Sequence, residues 1–273
     1  MNRRRLALRC LAFAMTAALS GCGRDVVDKV RLASTTSFRD TGFADVLLPA
    51  FTAETGIEVE MVTLGTGEAL KVAERGDADA VLVHARQAED EFMAKGFGVE
   101  RRDVWWNRFV VAGPADDPAG VRRASGAKDA LARIGAANAP FVSRGDDSGT
   151  HKKEMALWGT SPHGTGYQET GQGQGPTLVI ASEKRAYALT DEGTFLRMRA
   201  KLALEPLVEG DPLLRNPYGA LVVRKGARGA DRFDAAKRLV AWLTGPKAQA
   251  LVRSFLVDGK RAFYLPDEVP PAR

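Results

Sequence analysis

One pattern, used three times, most constrains what this chain can fold into. A short apolar run is followed by small hydroxyl residues and glycine, and then by apolar positions at three- and four-residue spacing. Val30–Ala33 run into Ser34-Thr35-Thr36-Ser37, and from Thr41 the residues Phe43, Val46, Leu47, Ala50 and Phe51 keep a helical period until Gly56. Ile57–Leu64 lead through Gly65-Thr66-Gly67 into Glu68–Arg75, closed by Gly76. Ala139–Val142 lead through Ser143–Thr150 into Lys152–Trp158. A period that switches repeatedly from strand-like to helix-like predicts an α/β fold, an open sheet flanked by helices. Further strands are expected at Ala78–Val83, Val104–Gly113, Tyr187–Thr190 and Asn216–Val223. Further helices are expected at Thr177–Ala186 and Ala235–Leu243, with a glycine-rich loop over 159–175.

The 273 residues, 45% hydrophobic and 27% charged, suffice for a substantial core. That length fits two lobes of about 120 residues each. The formal charge of +5 is misleading, because Arg3, Arg4, Arg5 and Arg9 all fall in an N-terminal stretch without an acid. The remainder is near neutral and has no basic run, which excludes the electrostatic footprint of a nucleic-acid binder. The same stretch, a basic start, an apolar segment from Leu6 to Leu19 and a small-residue end, reads as an export signal over residues 1–21. It is too short to cross a bilayer. Leu19-Ser20-Gly21-Cys22 resembles the bacterial lipobox, which implies cleavage before Cys22, lipidation of that cysteine, and a soluble body anchored at a periplasmic or cell-surface membrane face. Of the two cysteines, Cys10 departs with the leader, so no disulfide, cysteine zinc site or thiol catalysis is expected; three histidines argue against a histidine metal site.

The three polar loops share one chemistry. A helix N-terminus exposes about four unpaired N–H groups and the positive end of the helix dipole, and Ser and Thr hydroxyls add donors. Such loops hold an oxyanion with few cationic side chains, although each loop taken singly also reads as a simple helix cap. The third loop, Arg144-Gly145-Asp146-Asp147-Ser148-Gly149-Thr150, is the most specific. Arg144 can fork two N–H groups onto an anion while a neighbouring carboxylate orients it, and Gly149 allows close backbone approach.

Two catalytic readings compete for the same loop. Asp147-Ser148-Gly149-Thr150 matches the short signature of an aspartic-type hydrolase, but such enzymes need a second copy, and Asp191-Glu192-Gly193-Thr194 carries Glu where that copy needs Ser or Thr. A Ser148–His151 nucleophile pair lacks the G-x-S-x-G elbow. Gly171-Gln172-Gly173-Gln174-Gly175 lacks dinucleotide spacing. No enzymatic activity and no cofactor are expected.

Taken together, Ser34–Ser37, Leu64–Leu70, Glu74–Asp79, Val83–Arg86, Ser143–Glu154, Glu169–Gly173 and Asn216–Gly219 resemble the tungstate-binding proteins of bacterial ABC uptake systems, over about residues 30–265. The resemblance implies a two-lobed, type II periplasmic-binding-protein-like fold with a hinge of two crossing strands, and a monomer that delivers tungstate, with molybdate as a possible second ligand, to an ABC permease. It places ligand hydroxyls at Thr35, Thr36 and Thr66, the selectivity arginine at Arg144, and further donors at Ser148, Gly149 and Thr150. Lobe 1 is then expected to comprise 24–107 and 217–273, and lobe 2 to comprise 108–216, with Phe109–Gly113 and Tyr218–Val223 crossing between them. The alternative ligand is phosphate or another tetrahedral oxyanion. Phosphate usually keeps a proton at neutral pH and profits from a carboxylate acceptor, for which Asp40, Asp146 and Asp147 are the candidates.

Overall fold

The structure is a computed structural model that describes residues 29–159, 165–224 and 230–269; the leader, Cys22 and His163 lie outside the described residues. Strand β1 (Lys29–Thr35) lies between β2 (Glu58–Leu64) and β3 (Ala80–Val83), parallel to both. The connections are helices α1 (Thr36–Asp40) and α2 (Ala44–Thr55) on the way to β2, and α3 (Thr66–Glu74) on the way to β3. Helix α2 buries Ala44, Leu47 and Phe51, at the spacing read from the sequence, and stops at Gly56, whose φ of 72° few other residues adopt. Helix α4 (Arg86–Ala94), for which no expectation was formed, precedes β4 (Gly98–Gly113).

Strand β4 sets the architecture. Its 16 residues pair antiparallel with β9 (Arg215–Val223) over Gly98–Arg108, and then with β7 (Ala188–Asp191) over Phe109–Ala112 and β8 (Glu205–Val208) over Val111–Gly113. The sheet order is therefore β2-β1-β3-β9-β4-β7, with β8 also on β4. From Val104 onward every residue of β4 is buried, as expected of a strand covered on both faces. Between β4 and β9 run α5 (Ala127–Ala136), β5 (Phe141–Ser143), α6 (Gly149–Trp158), β6 (Tyr167–Glu169) and α7 (Gln174–Glu183), then β7, α8 (Glu192–Met198) and β8. Helices α9 (Ala230–Trp242) and α10 (Pro246–Ser254) and the hairpin β10–β11 (Leu256–Val257, Lys260–Arg261) finish the chain.

The core divides at the same place. Two clusters draw on residues 30–105 and 218–265, joined by Leu196, and two draw on residues 109–214. Phe43 anchors the largest, with ring centroids 5.5 Å from Trp105 and 4.9 Å from Phe263. The change of pairing partner along β4 falls at Asn107–Arg108, and the corresponding entry to β9 at Arg215–Asn216. Both lie just before the segments expected to cross, because Tyr218–Val223 is already engaged with β3 and β4. The Asn216 side chain donates to Asn107 Oδ1 at 2.6 Å at this crossover.

Several local expectations need correction. Ser34–Ser37 is not a loop, because β1 ends at Thr35 and α1 starts at Thr36. Helix α7 begins at Gln174 rather than Thr177, and the expected loop over 159–175 contains β6. Helix α9 begins at Ala230, earlier than the expected Ala235, and stops at Trp242 ahead of Gly245; Pro246, whose missing N–H costs nothing in a first turn, opens a separate helix α10.

Glu154 of α6 is buried and accepts from Tyr167 Oη at 2.8 Å, fastening β6 to the helix. Burial pushes its carboxyl from 4.5 up to about 7. Its stabilising contribution is thus complete below pH 4.5 and lost as the pH climbs through 7. Glu154→Gln, which keeps an acceptor for Tyr167, should gain on the wild type by on the order of 2–3 kcal/mol between pH 5 and pH 8, measured by urea unfolding at each pH.

Candidate anion-binding site

Each of the three anticipated loops ends at a helix start. Thr35 caps α1, its Oγ1 accepting from the Phe38 N–H at 3.3 Å and lying 3.1 Å from Ser37 Oγ. A single residue, Gly65, separates β2 from α3, whose first residue Thr66 is fully buried with Oγ1 lacking a hydrogen-bond partner. Ser148 caps α6 by accepting from the His151 N–H at 3.2 Å, and Gly149 and Thr150 form its first turn. Thr150 Oγ1 is also buried without a partner. Ser34, by contrast, donates to Leu82 O at 2.8 Å and ties β1 to β3.

Arg144 draws these pieces together. Its side chain is 2% exposed, and its Nε and Nη2 donate to Asp146 Oδ2 at 3.1 and 2.5 Å. Nη2 also donates to Thr36 Oγ1 at 3.1 Å, joining residues far apart in the chain. Backbone follows side chain. A Cβ on Gly149 would stand 2.5 Å from the His84 ring, so that position needs glycine for close approach, and one on Gly65 would press on Asp146 O at 3.3 Å. Gly173, just before α7, lies against Thr36. The start of α1 thus meets the guanidinium directly, while α3 approaches through Asp146 and Ser148 and α7 through Thr36. Thr35, Thr36, Thr66, Arg144, Ser148, Gly149 and Thr150 belong to one neighbourhood, beside a cavity of about 520 Å³ lined by His84, Gly149, His151 and Asn216 among others.

Three further residues belong to this neighbourhood and were not anticipated from the sequence as site residues. His84, directly after β3, places Nε2 3.0 Å from Ser37 Oγ. Burial, and then the positive charge of Arg144, push its imidazole down to about 3, so it is neutral near pH 7 and adds no charge. Asp191, at the junction of β7 and α8, is fully buried, and its Oδ1 accepts from the Thr194 N–H at 2.9 Å. Burial above all, with the Asp40 charge adding and the Thr194 N–H and side chain and Arg144 opposing, raises its carboxyl to about 6. The Tyr218 hydroxyl is buried without a close partner, and burial and the Asp191 charge push its pKa up. A signal for Asp191 was present: Asp191-Glu192-Gly193-Thr194 is a fourth strand-to-helix junction, the same pattern as the other three.

The candidate carboxylates already have partners, Asp146 within the site itself. Asp146 binds Arg144 through Oδ2 and accepts from the Ser148 N–H through Oδ1, Asp147 pairs with Lys152, and Asp40 pairs with Arg39 at 2.7 Å. The catalytic arrangements do not form. Ser148 Oγ meets the backbone of His151 rather than its ring, whose Nδ1 accepts from the Asp147 N–H. Asp147 is 64% exposed and faces a lysine, not a second carboxylate. Among the described residues no His, Cys, Asp and Glu cluster could hold a metal ion, and no helix is long and apolar enough to cross a membrane.

Comparison with known proteins places the chain in a family. Residues 24–247 match the model of the PBP superfamily domain. The tungstate-binding protein TupA of Peptoclostridium acidaminophilum is 40% identical, the match covering 99% of each chain. The tungstate ABC transporter structure from Geobacter sulfurreducens superposes with a TM-score of 0.77 at 44% identity, over 83% of this chain and 98% of that one. TupA from Desulfovibrio alaskensis gives 0.74 at 41% identity, over 88% of this chain and all of that one. With its sheet of parallel and antiparallel strands and its flanking helices, the chain belongs to the PBP superfamily and, within it, to the family of the tungstate-binding proteins TupA.

Proposed function

We propose that this chain is the extracytoplasmic solute-binding component of an ABC uptake system and that its ligand is tungstate, held by its four oxygens rather than through the metal. The observation that carries this reading is the buried Arg144 bonded to Thr36 at the start of α1, with the hydroxyls of Thr66 and Thr150, at the starts of α3 and α6, buried and unpartnered. A fully deprotonated tetrahedral dianion offers acceptors only and suits a pocket of donors. Ligand contacts are assigned to Thr35, Thr36, Thr66, Arg144, Ser148, Gly149 and Thr150; the engagement of Asp40, Asp146 and Asp147 disfavours phosphate. The protein works by binding and release, without catalysis.

Lobe 1 (24–107 and 217–273) and lobe 2 (108–216) close over the anion by bending where β4 passes from β9 to β7, near Asn107–Arg108, and where β9 begins, near Arg215–Asn216. Donors from both lobes then bond one ligand, and exclusion of water strengthens each charge-assisted bond. The closed monomer is what the permease recognises. Residues 1–21 act as a lipoprotein signal and Cys22 carries the anchor, outside the cytoplasm.

Calorimetric titration of refolded, anion-free protein with tungstate, molybdate, phosphate and sulfate tests the reading, and phosphate binding most tightly would overturn it. Arg144→Ala should weaken tungstate binding by at least about a hundredfold, and Arg144→Lys should restore only part of it, because a lysine cannot make the fork. Thr66→Val and Thr150→Val should each cost about tenfold, the worth of one hydrogen bond to a charged partner.

Tungstate should also reduce the radius of gyration in solution scattering and change Trp105 fluorescence, because Trp105 stacks on Phe38 of α1 at 6.0 Å. An unchanged scattering profile on saturation would remove the closure mechanism.

A further inference from the structure

Asp191 is a fully buried carboxylate with only one oxygen committed. Oδ1 caps α8 through the Thr194 N–H, while Oδ2 is buried without a close hydrogen-bond partner. Asp191 pairs in register with Phe109, the residue of β4 directly after the crossover, and α8 packs against the end of α1, where Thr41 would clash with a Cβ on Gly193. It therefore sits where the two lobes and the hinge meet, close enough to Arg144 for that charge to favour its ionised form.

We propose that Asp191 makes anion binding proton-coupled: when a dianion enters beside Arg144, Asp191 takes up one proton from solvent onto Oδ2, and the closed site then holds a neutral acid rather than a third negative charge. The proposal rests on the tungstate reading above. The anion satisfies the guanidinium that supports the Asp191 carboxylate and adds negative charge of its own, in a region where Arg144, Thr66 and Thr150 are almost wholly buried and charges are poorly screened. Like charges confined to one buried site force a proton onto one of them. Oδ1 is fixed by the helix cap, which leaves Oδ2 to receive it.

The surrounding groups leave this role to Asp191. Burial already places its carboxyl at about 6, so a small further push carries it through neutrality. His84 on the lobe 1 side titrates at about 3, too low to take part. Tyr218 of β9 stays protonated. Asp40 of α1 is paired with Arg39, Glu192 exerts its charge on Tyr264, and Arg108 of β4, next to Phe109, stacks on the Tyr264 ring at 5.3 Å.

The test is calorimetric titration of the purified protein with tungstate at pH 7 in two buffers of different ionisation heat, repeated from pH 6.5 to 8.5. The wild type should take up close to one proton per anion, and its affinity should fall with rising pH by up to about tenfold per unit. Asp191→Asn, which preserves the cap because Asn serves there about as well as Asp, should bind with no proton exchanged and no pH slope. Binding by the wild type without proton uptake overturns the proposal, as does an Asn variant with undiminished uptake. If that variant does not fold, difference infrared spectra of the wild type decide: the carbonyl stretch of a protonated acid should appear on adding tungstate, and its absence is equally fatal. A wild type that binds no tungstate at all instead overturns the parent reading, and this one with it.

Discussion

A guanidinium removed from water is costly unless its N–H groups are bonded and its charge is balanced. Arg144 is such a group, and much of the surrounding structure meets its requirements. Asp146 supplies the counter-charge two residues along the chain, and Thr36 supplies an acceptor from the start of α1. The bend of the 144–148 segment that lets Asp146 fold back also delivers Ser148 to the start of α6, where it caps the helix. The neutral state of His84 follows from the same charge, since burial and Arg144 both disfavour an imidazolium.

The donors around Arg144 are set on rigid supports. Thr35 and Thr36 straddle a junction at which a buried strand becomes a helix with no intervening residue, and Thr66 follows its strand after one glycine. Little loop remains to be ordered when a ligand arrives, so less conformational entropy is lost than with a flexible polar loop. Recognition of a tetrahedral ion then depends on where sheet and helix axes cross. Those axes are held by apolar contacts such as the packing of Phe38 against Trp105 directly behind α1.

Much of this was legible in the sequence, because strand-to-helix junctions are written in local period and composition. The succession of β1, β2 and β3 with their helices followed from that pattern, as did the three strand-to-helix junctions at Thr35, Gly65 and Ser148. What stayed hidden depends on distance along the chain. No local signal shows that Arg144 meets Thr36, or that β4 continues through two sets of partners. His84 looked like any residue after a short strand until its ring was found against Ser37 and Gly149. Asp191 was weighed only as half of a catalytic pair, although its place at a helix start marked it as a cap. Helix α4 has few apolar residues and buries a glutamate, Glu89, beside Phe92 on its inward face, so it did not stand out as a helix with an apolar side.

The order of strands has a bearing on how the protein is made. Strand β9 lies between β3 and β4, yet more than a hundred residues separate it from its nearer partner in sequence, and helix α9, which packs on that region, comes later still. Until residue 223 has left the ribosome, the sheet has a gap at its centre and two unsatisfied inner edges. The nascent chain is thus kept from completing its most cooperative unit until synthesis is nearly over. Late insertion of the middle strand delays closure of the whole sheet through topology alone, with no need for a slow local step.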